Sequence, residues 1–128
     1  MGLDIRVAVV DRTGPHASWS YHGFNHFRSR LAAAANIDLR EMNGYIPNGQ
    51  PWPSTDKEPL VHLLDHSDCD GTLGYTECAA LLPRLRELLP VAFPGEDASN
   101  AYDRRMGEEL IAACEAIVDG DGHEVLFQ

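Results

Sequence analysis

Hydrophobic and polar positions alternate at the start of the chain. Leu3, Ile5, Val7 and Val9 are interleaved with Asp4, Arg6 and Ala8. That period of two predicts a half-buried strand over residues 3–10. Residues 11–16, with Gly14 and Pro15, read as a turn. The period then changes. Phe24, Phe27, Leu31 and Ala35 recur at helical spacing and predict a helix after Ser20 with one apolar face. The alanine run at 32–35 favours it by propensity, and Asn36 suits a left-handed cap. Residues 43–59 hold Gly44, Pro47, Gly49, Pro51, Pro53 and Pro59. So many prolines fit no regular element, and a long polar loop pinned by Tyr45 and Trp52 is expected.

A short helix with Leu60, Val61, Leu63 and Leu64 is expected after Pro59, which suits a first helical position. Residues 66–74 are polar and rich in small side chains, and read as a loop. A further helix is expected from Tyr75 toward Leu89, kinked or split by Pro83, with the pattern broken from Pro90 to Gly95. The last helix, residues 100–118, shows the clearest periodicity, through Met106, Leu110, Ile111, Cys114, Ile117 and Val118. Residues 119–122 read as a turn. The ending, residues 124–128, is either a native terminal strand able to pair with the first or a protease-tag remnant. The expected fold is α+β and mainly helical: three to four helices with a small sheet built on the N-terminal strand, to which the C-terminal segment is a candidate addition. Residues 1–123 are expected to form one domain, because 128 residues support a single core.

Charge narrows the class of partner. Ten basic against twenty acidic residues give a formal charge of −10, which disfavours phosphate backbones and hence nucleic acid. No apolar run approaches the ~20 residues of a membrane span. The first residues show no basic stretch followed by an apolar one, so a cytoplasmic protein is expected. Three cysteines, Cys69, Cys78 and Cys114, read as free thiols in a reducing compartment, with a Cys69–Cys78 disulfide disfavoured. No nucleophile elbow, phosphate loop or dinucleotide fingerprint is present. The aromatic cluster of Trp19, Tyr21, Phe24 and Phe27 reads as core packing.

Chemistry concentrates in residues 66–77. With Gly71 at the sixth position of the EF-hand template D-x-[DN]-x-[DN]-G-x5-E, Asp68 takes the third, Asp70 the fifth, Thr72 the seventh, Leu73 the eighth and Glu77 the twelfth. Calcium requires six to eight oxygens. Asp68 and Asp70 would give carboxylate oxygens, Thr72 its carbonyl, and Glu77 a closing bidentate carboxylate, while Leu73 anchors the loop in the core. The first position departs from the template, because His66 stands where Asp is wanted, and imidazole suits zinc better than calcium. The expected metal set is therefore His66, Asp68, Asp70, Thr72 and Glu77. The cofactor is calcium or a similar hard cation, and the role is non-enzymatic. A structural loop has its own physical account. Asp68 and Asp70 would bond nearby amides, and Glu77 would favour a helix N-terminus.

Two alternatives belong to other classes. One is zinc, as a bound ion or in an enzyme, held by His62, His66 and Cys69, with Cys78 completing a tetrahedral set. The other is an acidic regulatory protein that recruits a protein partner through the Trp52 loop. A second histidine pair, His22 and His26, has i,i+4 spacing but points away from the Phe24, Phe27 and Leu31 face, and reads as surface histidines.

The chain also resembles a set of small uncharacterised actinobacterial or phage-encoded proteins. The resemblance is carried by Met1, Gly2, Leu3, Asp4 and Ile5; by Gly23, Phe24 and Asn25 with Phe27 and Arg28; by residues 66–71, His-Ser-Asp-Cys-Asp-Gly, with Glu77 and Cys78; and by Pro83, Arg84 and Leu85. It implies no activity.

Overall fold

The computed structural model describes residues 2–7, 16–42, 45–65, 72–95, 97–120 and 124–127. The fold is α+β and mainly helical. Strand β1 (Gly2–Val7) is followed by β2 (His16–Ser20), α1 (Tyr21–Ala34), a 3-10 turn (Leu39–Glu41), α2 (Val61–Leu64), β3 (Thr72–Leu73), α3 (Tyr75–Ala92), α4 (Ala98–Val118) and β4 (Val125–Phe127). The strands form one four-stranded sheet in the order β2-β1-β4-β3, with every pairing antiparallel. The C-terminal segment thus lies inside the sheet, where Ile5 faces Phe127 and Val7 faces Val125.

One side of the sheet closes the core. Ile5 lies between Ala17 and Phe127 in register, and all three are buried. Leu73 and Val125, also paired and buried, extend this face. Helix α1 supplies Phe24, Phe27 and Leu31, each fully buried. Their rings meet Trp19 at 5.3 and 4.5 Å, and Phe27 stacks on Phe93 at 5.2 Å. These offset and tilted geometries add to the burial of area. Of the expected cluster, Trp19, Phe24 and Phe27 are therefore core, and Tyr21 is partly buried against it. Ser20 caps α1 by accepting from the Gly23 amide at 2.9 Å, and Asn36 ends the turn beyond it with a φ of 63°, a conformation asparagine tolerates better than most residues.

Strand β2 is a departure from the pattern reading, which placed a turn up to residue 16 and a helix after Ser20. Its stability depends on pairing with β1 and on Ala17 and Trp19 facing inward. Its outer edge is covered by α4. Tyr102 donates its hydroxyl to the Ser18 carbonyl, and the Ser18 amide donates to Met106 Sδ at 3.4 Å. An edge covered in this way no longer offers a pairing template to another chain.

The helix expected to be kinked or split at Pro83 is not split. Helix α3 runs unbroken through Pro83 and through Pro90, both inside its bounds. Both prolines are exposed, and so are Ala79 and Arg86, whose carbonyls lose their i+4 donor. Water can satisfy a carbonyl on the solvent side. The opposite side buries Cys78, Leu81, Leu82, Leu85, Leu88, Leu89 and Ala92, and this tertiary packing outweighs the local penalty. The penalty remains measurable. Pro83→Ala restores an amide donor and raises helix propensity, against a smaller loss from a more flexible unfolded chain. We expect a stability gain of about 1 kcal/mol in urea denaturation.

Of the expected loop at 43–59, residues 45–59 form no helix or strand, as their prolines predict, and residues 43–44 lie outside the described residues. Tyr45 donates its hydroxyl to the Leu64 carbonyl at 3.0 Å, and its ring meets Trp52 edge-on at 6.1 Å. Pro59 lies just outside α2, whose first helical residue is Val61. Helix α4 starts two residues before its predicted position, because Asp97 caps it through the Asn100 amide at 2.9 Å. No helix among the described residues is long and apolar enough to cross a membrane.

Candidate cation site

Helices α2 and α3 flank the segment singled out by the calcium-loop pattern. Their separation is fixed by an ion pair that sequence spacing did not reveal. Glu58, before α2, is 8 % exposed. Its carboxylate accepts from Arg84 Nε at 2.9 Å and from Arg84 Nη2 at 2.7 Å. The same carboxylate accepts from the Leu60 amide at 3.2 Å and so caps the turn into α2. Burial alone would push the Glu58 carboxyl up. The Arg84 guanidinium and the Leu60 amide together outweigh it and hold the group below its ordinary value. Arg84 also reaches Glu87 at 2.7 Å on the exposed side of α3. At the other end of α2, the Tyr45 hydroxyl bonds to Leu64. The entry helix is thus anchored at both ends although it spans only four residues.

Of the five residues expected to bind a cation, Thr72 and Glu77 are described; His66, Asp68 and Asp70 lie outside the described residues. Thr72 and Leu73 form β3, where a loop was expected over residues 66–74. The reason is pairing. Thr72 faces Leu126 and Leu73 faces Val125 across β4, and Leu73 is 1 % exposed. The eighth position therefore anchors in the core, as the template reading expects. Gly74 is the N-cap of α3 and offers no side chain to the first-turn amides. Glu77 lies in that first turn. Its Oε2 is 3.6 Å from the point where a Cβ on Gly74 would stand. The carboxylate therefore folds back over the helix start. A carboxylate here also offsets the positive end of the helix dipole.

The zinc reading involves different atoms. His62 is half-buried on α2, whereas His66 and Cys69 lie outside the described residues. Cys78 is fully buried and donates to the Leu73 carbonyl at 3.8 Å. Its thiol faces Cys114 on α4, and that hydrogen bond, together with burial, pushes the Cys114 thiol up. Both are free cysteines, and the fully buried Cys114 is thereby held protonated. The proximity of Cys78 to Cys114 had no signal in the sequence, where 36 positions separate them. Among the described residues, no group of three or more His, Cys, Asp or Glu is arranged to hold a metal ion.

A second feature lies along α1. His22 and His26 are exposed, as their spacing predicts. They line a groove of about 830 Å³ together with Asn25, Ser29, Asp38 and Arg40. The same two histidines line a smaller hollow of about 470 Å³, closed on its other side by Tyr102 and Asp103. Asp103 is buried and accepts from Trp19 Nε1 at 3.0 Å.

Comparison with protein-family models, with curated protein sequences and with solved structures finds no match to this chain.

Proposed function

We propose that residues 66–77 form a single EF-hand-like loop that binds calcium or a similar hard divalent cation, and that the protein's role is non-enzymatic. The observation that supports this reading most is the arrangement of the loop's second half. A buried anchor at Leu73 is followed by a glycine cap and a glutamate that folds back over the helix start. A template calcium loop needs its twelfth residue in that position, where two carboxylate oxygens can close the cation cage. Asp68 and Asp70 would supply the opposing oxygens, Thr72 its carbonyl, and His66 the first position.

In this reading the ion ties α2 to α3 and stabilises the native state through binding. A ligand present at tenfold its dissociation constant adds about 1.4 kcal/mol, or roughly 5 °C in melting temperature for a domain of this size. Chelator-treated protein should therefore melt roughly 5 °C lower than protein in calcium at tenfold that constant. Asp70→Ala should abolish the difference. Identical melting curves with and without calcium would remove the proposal.

A further inference from the structure

We propose that His22 and His26 form a second, independent metal site, a two-histidine chelate for a borderline transition-metal ion of the zinc class. The ion's remaining positions open onto the groove beside Asn25 and Ser29.

The two residues are one helical turn apart, so they share a face of α1. That turn is formed and capped, because Ser20 Oγ accepts from the Gly23 amide between them in sequence. The opposite face is locked, with Phe24, Phe27 and Leu31 fully buried. The helix cannot rotate without exposing three large side chains, so the direction of both imidazoles' stems is fixed while their rings stay accessible. Pre-set spacing of this kind makes attachment of the second ligand intramolecular, which raises affinity over either imidazole alone.

Imidazole nitrogen selects the metal class. It suits zinc, copper and nickel, whereas calcium and magnesium prefer oxygen. No third His, Cys, Asp or Glu among the described residues completes a metal group. Water or an exogenous ligand fills the other positions, as at zinc sites that keep an open place. The groove of about 830 Å³ leaves room for such a ligand. The positive end of the α1 dipole opposes a cation near His22, by about 0.3–1 kcal/mol. Asp103 in the smaller hollow counters it, within a chain of formal charge −10; Asp38 in the groove is paired with Arg40 at 3.7 Å, so that pair is close to neutral.

The test is calorimetric titration of zinc ion into the full, chelator-stripped chain in excess calcium, which keeps any hard-cation site filled. Five proteins are compared: the wild type, His22→Gln, His26→Gln, the His22→Gln/His26→Gln double variant and His62→Gln. All three histidines lie at positions whose replacement leaves the aromatic core intact, and matching circular dichroism melts would verify this. The wild type should take up a zinc equivalent that His22→Gln and His26→Gln each weaken by on the order of 10²-fold, and that His62→Gln retains. A His22→Gln/His26→Gln double variant whose isotherm superimposes on the wild type would overturn the proposal. So would a wild type that takes up no zinc, or loss of the equivalent in His62→Gln alone.

Discussion

Replacing Glu58 with alanine should lower the stability of the fold by about 3 kcal/mol, read from urea denaturation midpoints. Four hydrogen bonds end on this carboxylate: three from Arg84, at 3.2 and 2.9 Å from Nε and at 2.7 Å from Nη2, and one from the Leu60 amide at 3.2 Å. Removing one member of a buried pair strands the other, and such losses run to about 3–5 kcal/mol. The low end applies here, because the Arg84 side chain is 25 % exposed and keeps Glu87 as a partner. Glu58→Gln should cost less, since an amide oxygen can still accept from Leu60 and from one guanidinium nitrogen.

Acid provides a second readout of the same group. The folded-state carboxyl is held below its ordinary value of 4.5. Its contribution is therefore fully present above that pH and is lost as the pH falls through the lower, folded-state value. Wild-type stability should decline over that acid window, and Glu58→Gln should lack this part of the decline. A loss under 1 kcal/mol for Glu58→Ala, with an unchanged acid limb, would mean that water already solvates the pair.

Gly107→Val should cost about 3 kcal/mol. Gly107 sits on α4 against Leu89 of α3. A Cβ placed there would meet Leu89 Cδ1 at 2.5 Å and Phe27 Cε1 at 3.3 Å. Leu89 is 3 % exposed and Phe27 fully buried, and Phe27 cannot move aside without disturbing its stack on Phe93. Overpacking of a tight core costs about 1–3 kcal/mol, and a branched side chain lies at the upper end. Gly107→Ala should cost less, because alanine recovers about 1 kcal/mol of helix propensity. Trimming the neighbour separates clash from any other cause. In a Leu89→Ala background, Gly107→Ala should become neutral or stabilising, a coupling that a double-mutant cycle in denaturant measures directly. Additive effects would place the strain elsewhere.

Both predictions rest on contacts that a pattern of residues does not reveal. Helices α1 and α4 were legible because their apolar positions repeat without interruption. Phe24, Phe27 and Leu31 on the first, and Leu110, Cys114 and Ile117 on the second, are buried as the spacing implies. The first strand was legible by alternation, and its pairing with the chain's last residues followed from an apolar Val-Leu-Phe run. Pro83 misled the reading of α3, since a local rule about missing donors does not register that a proline faces water while the other side of the helix fills the core. Strands β2 and β3 were missed because five and two residues carry too little periodicity, and their identity comes from their partners. Glu58 and Arg84 are 26 positions apart, and Cys78 and Cys114 meet only through helix packing. No spacing rule links either pair. At the candidate site, the core-anchoring role of Leu73 and the first-turn position of Glu77 were both readable from the loop template.

The central claim, that residues 66–77 hold a hard cation, is tested most directly by calcium titration of the chelator-stripped chain under calorimetry. Uptake of a single equivalent in the wild type, absent from both Asp70→Ala and Glu77→Gln, is the predicted result. A wild-type chain that takes up no calcium, or a Glu77→Gln variant that binds it as tightly as the wild type, would contradict the account.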